Sequence, residues 1–185
     1  MDIHELANAW TMVPFFYFTW HAKTTAQSIA ITLMWMSSIK YHLHNALHQH
    51  AEGNFWRRMD CTFQIASLLV LLLEAPCYAT AHVTRQATSM AMTSLLGFLW
   101  GSVDHHDSVL ATTLLAHAVH LAMCVAHAPH RADLHAALRT LLPFPLVVFD
   151  TAHRPQWWSV GHVILFWYTY FSWRAVGMLR DPATT

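Results

Sequence analysis

The sequence predicts an all-α fold: a polytopic transmembrane helical bundle of about seven short spans, forming a single transmembrane bundle domain over residues 1–185. Hydrophobic residues make up 55% of the chain and charged residues only 11%, against about a quarter in ordinary soluble domains. Long apolar runs recur from end to end. The nine Trp, ten Phe and five Tyr are side chains that collect at membrane interfaces.

Seven segments approach the roughly 20 apolar residues that a membrane-spanning helix needs. The third, fifth and seventh are the strongest, whereas the first, fourth and sixth are shorter than a full span. Pro143 and Pro145 should distort the sixth, because each removes a backbone donor. The predicted segments are residues 6–20, 26–43, 59–80, 86–100, 108–126, 136–150 and 157–176.

Short polar stretches separate these segments in chain order. The aromatic run PFFYFTW ends the first segment, and HAKTT is a tight connection to the second. The stretch HNALHQHAEGNFWRR reads as a polar loop before the third segment, which contains the most apolar run, IASLLVLLLEAP. GSVDHHD and HRPQ read as turns, and HAPHRADLH reads as a loop. Such short connections predict that successive helices lie antiparallel.

The charge balance limits the partners. Lys and Arg together number 10, as do Asp and Glu, so no strongly basic face can form and no nucleic-acid partner is expected. The high apolar content excludes a disordered chain and an ordinary soluble enzyme. The start, MDIHELANAW, lacks the features of a cleavable secretory signal and of a transit peptide. We expect an integral membrane protein whose partners are lipids and other membrane subunits.

The cysteines and most of the 16 histidines are open to structural interpretations. The three cysteines form no CxxC pair, which favours buried packing. His44 and His48 have metal-pair spacing, but a solvated helix end is the preferred interpretation. His117 and His120 could serve a haem or a proton relay, yet no second histidine pair at matching depth accompanies them. Glu74 needs a partner, for which the backbone near Pro76 or a fifth-segment histidine is a candidate.

One group of polar residues could form a catalytic or metal-binding site. Ser38 and His42 are four residues apart near the end of the second segment, so they share a helix face. Asp60 begins the third segment, which the connection makes an antiparallel neighbour of the second. His162 lies near the start of the seventh segment, on the same side of an up-and-down bundle. We therefore expect Ser38, His42, Asp60 and His162 to meet in one pocket near one membrane face.

The order of these residues resembles the CREST superfamily, the seven-span membrane hydrolases that include alkaline ceramidases and progestin/adipoQ receptors. The matching pieces are Asn8 in LANAW, Ser38 and His42 in SSIKYH, Asp60 in RRMDCTFQ, and His162 in WWSVGH. The resemblance implies a zinc held by three histidines, one from S-x-x-x-H and two from an H-x-x-x-H motif. It also implies that the Ser and Asp lie beside the metal and its water.

The sequence departs from that pattern at Trp158, which stands where the first histidine of H-x-x-x-H is expected. Indole has only an N–H donor and cannot bind zinc. His153 could replace the missing ligand only if the loop before Pro155 folds back. We therefore assign His42 and His162 as an incomplete metal pair, and Ser38 and Asp60 as family-like catalytic positions that are inactive. No cofactor is expected, with zinc as the alternative.

Three hypotheses follow from the missing histidine of the H-x-x-x-H motif. The first is a noncatalytic CREST-like subunit with a structural or assembly role in a larger membrane complex. A mitochondrial inner-membrane respiratory assembly is its expected setting, with the endoplasmic reticulum as the alternative. The second is a zinc-dependent lipid amide or ester hydrolase of the alkaline ceramidase type. The third is a receptor-like lipid-binding protein of the same fold. Metal content and co-purifying subunits separate the three.

Overall fold

Helices build most of the described chain. A computed structural model describes residues 1–101, 106–151 and 158–180. Within these residues the prediction of an all-α fold is confirmed, with two short 3-10 turns at Val13–Phe15 and Pro76–Tyr78. The helices are α1 (Ile3–Thr11), α2 (Phe16–His21), α3 (Thr25–Ala46), α4 (His50–Glu74), α5 (His82–Gly101), α6 (His106–His127), α7 (Arg131–Leu141), α8 (Phe144–Thr151) and α9 (Trp158–Ala175).

The first predicted segment is two helices, not one. The Asp2 side chain caps α1 by accepting a hydrogen bond from the His4 backbone N–H at 2.8 Å. Pro14 then lies in the 3-10 turn between α1 and α2, where its missing N–H does no harm. The break separates α1 from α2, and both helices pack against α3.

The second and third segments form a helical hairpin, and α3 and α4 make the most extensive helix pair in the described chain. The polar stretch predicted as a loop is helical from His50 onward, so that prediction is wrong. The reason is packing, because Gly53 is buried against α3. A methyl group added there would lie 2.3 Å from Oδ1 of Asn45. The actual link is residues 47–49, where His48 takes a left-handed conformation with φ 59°.

The carboxy-terminal part packs around α9. The prolines do divide the sixth segment, into α7 and α8, and α7 already begins at Arg131, inside the stretch predicted as a loop. Helix α9 packs against α1, α7 and α8. After α9 the chain returns to the α2–α3 link, where the Lys23 N–H donates to the Met178 carbonyl at 3.0 Å. The Arg180 N–H donates to the His21 carbonyl at 2.8 Å, which ties residues 178–180 to the α2–α3 link.

Aromatic side chains fill the space between α2 and α9. Phe18 is fully buried. Its ring centroid lies 5.8 Å from that of Phe15, 5.2 Å from that of Phe166 and 5.1 Å from that of Trp173. Tilted ring contacts of this kind add to the stabilisation from burial. Of the many aromatic residues in the seventh segment, Phe166 and Trp173 thus pack between helices. Trp157 lies outside the described residues.

Two smaller sequence interpretations are corrected. Glu74 takes its hydrogen bond from the Thr24 hydroxyl at the start of α3, not from the two candidates predicted. Its side chain is exposed, so it needs no buried partner. His44 and His48 do not share a helix face, since α3 ends at Ala46. The His44 ring instead contacts the Gln49 side chain, with Nδ1 at 2.8 Å from Oε1.

The membrane topology stays a prediction. One helix of the described chain, residues 109–127 within α6, is long and apolar enough to cross a membrane. Large apolar side chains are nonetheless exposed on the outer surfaces of several helices. On α3 they are Ile29, Leu33, Met36 and Leu43, and on α5 they are Val83, Met90, Phe98 and Trp100.

Candidate functional site

The four predicted residues lie together at one end of the α3–α4 hairpin. The rings of His42 on α3 and His162 on α9 are 5.1 Å apart between centroids and nearly perpendicular, at 69°. Ser38 on α3 and Asp60 on α4 line the same cavity as the two histidines. All four side chains are buried, none more than 7% exposed. The four residues therefore lie in one pocket, as their spacing predicts, whereas the membrane face and their chemical roles stay predictions.

Helix α1 lies between α3 and α9 and completes the site. Nδ1 of His42 is 2.6 Å from Oε2 of Glu5, and Nδ1 of His162 is 2.9 Å from the Thr11 hydroxyl oxygen. Asn8 is fully buried between them and accepts a hydrogen bond from Ser159 at 2.7 Å. Of these α1 residues the sequence pointed only to Asn8. The signal that could have found Glu5 and Thr11 is their spacing of three from Asn8, which puts all three on one face.

These contacts fix the proton positions on the two rings. A carboxylate only accepts, so Nδ1 of His42 donates to Glu5. The Thr11 hydroxyl donates its single proton to the Asn8 backbone carbonyl at 2.8 Å. The Thr11 oxygen can therefore only accept from His162, so Nδ1 of His162 carries the proton and donates it to Thr11. When neutral, each ring therefore keeps the lone pair of its Nε2. This is the tautomer that a metal-binding histidine adopts when a polar group holds its other nitrogen.

Asp60 takes part in a second hydrogen-bond network, which it forms with Gln64 and His117. The Gln64 side-chain amide, one turn further along α4, donates to Oδ1 of Asp60 at 3.2 Å. The Gln64 oxygen lies 3.3 Å from Nε2 of His117 on α6. Asp60 is thus linked through Gln64 to His117, which sequence reasoning had considered only for haem or a relay.

Trp158 occupies the position next to His162 where the resemblance implies a metal ligand. Its ring stacks on the His162 ring, with an interplanar angle of 18° and centroids 6.0 Å apart. Gly161 makes room for this stacking, because a methyl group there would lie 2.8 Å from Cε3 of Trp158. The indole therefore packs against the imidazole of His162 and offers no lone pair to a metal.

The described residues do not fit the three-histidine zinc site that the resemblance implies. His42 and His162 supply two nitrogen ligands, and the position of a third is taken by Trp158. Among the residues that the structure describes, no group of three His, Cys, Asp or Glu side chains could hold a metal ion. His153, the predicted replacement ligand, lies outside the described residues.

A cavity of about 640 Å³ joins these groups. Its polar part contains Glu5, Ser38, His42, Asp60 and His162, and it continues along an apolar wall from α6, α8 and α9. This volume is in the range of sites that hold small organic ligands. Apolar residues along the wall are Leu110, Leu114, Leu121, Phe144 and Leu165.

The Glu5–His42 contact should hold α1 against α3. Glu5 is 16% exposed and His42 only 1%, so replacing Glu5 by Ala leaves a buried imidazole N–H without its acceptor. We expect Glu5→Ala to lower the free energy of unfolding by about 1.5–3 kcal/mol, as for other hydrogen bonds to charged groups. Denaturant unfolding in detergent measures this. Glu52→Ala is the control, because Glu52 is exposed in the first turn of α4, and an equal loss there would contradict the assignment.

Comparison with protein-family models, with curated proteins and with solved structures found no match. The likeness to the CREST superfamily therefore rests on Asn8, Ser38, His42, Asp60 and His162 alone, and it stays an interpretation of the sequence.

Proposed function

We propose that the protein is a noncatalytic, CREST-like integral membrane subunit with a structural or assembly role in a larger membrane complex. The observation that carries this proposal is the stacking of Trp158 on His162, in the place where a hydrolase of the resembling family has a zinc ligand. The remaining polar groups form hydrogen bonds with each other, as a structural core would. Glu5 binds His42, Thr11 binds His162, and Gln64 binds Asp60.

The exposed apolar surface supports the membrane and the partners in this proposal. Ile29, Leu33 and Met36 follow one another at spacings of four and three, so they form one outward apolar face on α3. On α5, Val83 is 78% exposed and Met90 is 72% exposed. Contiguous apolar surface of this kind marks contact with lipid or with another protein. The mitochondrial inner membrane is the proposed location, with the endoplasmic reticulum as the alternative.

The test compares hydrolysis and assembly in one set of preparations. We expect the chain, extracted from its native membrane in mild detergent, to co-purify with other membrane subunits and to show no turnover of ceramide or related amides. Asp60→Asn should leave the activity of the host complex almost unchanged and lower the chain's stability, because it alters the hydrogen bond from Gln64.

Asp133→Asn is the matched control, because Asp133 pairs with Arg174 at 3.3 Å and does not line the cavity. Turnover by the isolated wild-type chain that is lost in Asp60→Asn and kept in Asp133→Asn would overturn the noncatalytic proposal. A chain that purifies alone would overturn the assembly role.

The second candidate is a zinc-dependent lipid amide or ester hydrolase. The observation in its favour is the shared tautomer of His42 and His162, which leaves both Nε2 lone pairs available beside a cavity lined by Ser38 and Asp60. Elemental analysis separates the two candidates. One zinc per wild-type chain, lost in His42→Ala, would favour the hydrolase.

A further inference from the structure

Two polar atoms in the cavity wall lack a hydrogen-bond partner among the described residues. They are Nδ1 of His117 on α6 and the hydroxyl of Tyr168 on α9, and both atoms are buried. The two ring centroids are 6.2 Å apart, and both residues line the cavity. Buried polar atoms are nearly always paired. The two unpaired atoms belong to neighbouring rings on different helices, and they therefore indicate a bound group that could pair with both of them.

The network around Gln64 fixes what His117 can offer. The amide nitrogen of Gln64 donates to Asp60, so the amide oxygen faces His117 as an acceptor. Nε2 of His117 must then carry the proton that it donates to Gln64. A neutral imidazole has one N–H, which leaves Nδ1 with a lone pair and makes it an acceptor. The Tyr168 hydroxyl beside it can donate its proton.

A hydroxyl group meets both requirements with one atom. Its proton can be donated to Nδ1 of His117, and its oxygen can accept from Tyr168. A ketone, ester or carboxylate oxygen would accept from Tyr168 and leave His117 unpaired. Leu114, Leu121 and Leu165 line the same cavity, together with the polar side chains of Thr113 and Thr169. The leucines favour a ligand whose remaining part is largely hydrocarbon.

We propose that His117 and Tyr168 form a hydroxyl-binding pair that holds the alcohol group of an otherwise apolar ligand inside the cavity. Tyr168 follows His162 by six residues on α9, about 9 Å along the helix axis. The pair is thus separate from the His42–His162 contact, and the inference goes beyond the proposed assembly role. Its failure would leave that role unaffected.

The experiment measures whether the cavity binds a hydroxylated fatty acid more tightly than the same fatty acid without the hydroxyl. The probes are stearic acid and a series of hydroxystearic acids that differ in the position of the hydroxyl, titrated into the purified full chain with its co-purifying subunits. We expect one hydroxylated isomer to bind about tenfold more tightly than stearic acid, which is the effect of a well-made neutral hydrogen bond. Equal binding of all probes, or no binding, would overturn the proposal and leave water as the partner of the two atoms.

Tyr168→Phe supplies the decisive variant, because it removes the hydroxyl and keeps the ring. We expect the tenfold preference to fall to less than twofold, with stearic acid binding unchanged. Tyr170→Phe is the control, since the Tyr170 hydroxyl accepts from Arg174 at 3.2 Å and lies outside the cavity lining. A preference that survives Tyr168→Phe would overturn the assignment. If that variant does not fold, the comparison of hydroxylated and plain probes with the wild-type chain still tests the proposal.

Discussion

Phe18→Ala is expected to lower the free energy of unfolding by about 3–5 kcal/mol, the usual effect of removing a buried aromatic ring. Phe18 is fully buried and touches the rings of Phe15, Phe166 and Trp173. The empty volume would lie between α2 and α9, where neither helix can move in easily because residues 178–180 are bonded to the α2–α3 link. Denaturant unfolding in detergent, followed by tryptophan fluorescence, measures the loss.

Phe55→Ala is the matched control for this substitution. Phe55 is 51% exposed, and its ring contact in the described chain is with the neighbouring Trp56. We expect a loss of well under 1 kcal/mol, as for most exposed positions. If both variants lost the same stability, the aromatic cluster between α2 and α9 would not be the packing core that the geometry indicates.

Trp158→His is expected to convert the incomplete metal pair into a zinc site. The new histidine would lie one turn before His162 on the same face of α9, beside His42, giving three nitrogen ligands and an open fourth position. We expect about one zinc per chain after metal exchange and dialysis, against a small fraction of that in the wild type. Elemental analysis of the purified variant measures the content, which should fall at acid pH because histidine binds zinc only when neutral.

Two further variants test where that zinc binds. His42→Ala in the Trp158→His background should lose the metal, since only two ligands would remain. Trp167→His adds a histidine to an exposed position of α9 and should bind no more zinc than the wild type. A zinc content that did not rise in Trp158→His would show that Trp158 does not stand at a ligand position, and the likeness to the zinc hydrolases would lose its main support.

The meeting of Ser38, His42 and Asp60 could be predicted because it depends on local rules. Four residues of helix separate Ser38 from His42, and a short connection puts the next helix alongside. The position of His162 in the same pocket could be predicted in a similar way, because successive helices of the bundle alternate in direction. These steps need helical periodicity and the antiparallel pairing of consecutive helices, and they hold although the connection is shorter than predicted, since α4 already begins at His50.

The partners of these residues could not be predicted in the same way. Glu5 reaches His42 because α1 lies against α3, and that docking angle depends on where Pro14 breaks the first segment. Gln64 meets His117 because of the register between α4 and α6, which no local pattern encodes. The start of α4 was missed for a related reason. Its polar first turns resemble a loop until Gly53 is seen to pack against Asn45.

The site joins α1 and α9, the first and last helices of the described residues, and this has a consequence for biosynthesis. Thr11 bonds His162, and Asn8 bonds Ser159, across 151 residues in each case. Contacts of such long sequence separation form late, because the intervening chain must be in place first. While the ribosome is still making the middle of the protein, His42 and Glu5 have no α9 to cover them. Glu5 and His42 therefore stay uncovered by α9 until that helix has been synthesised.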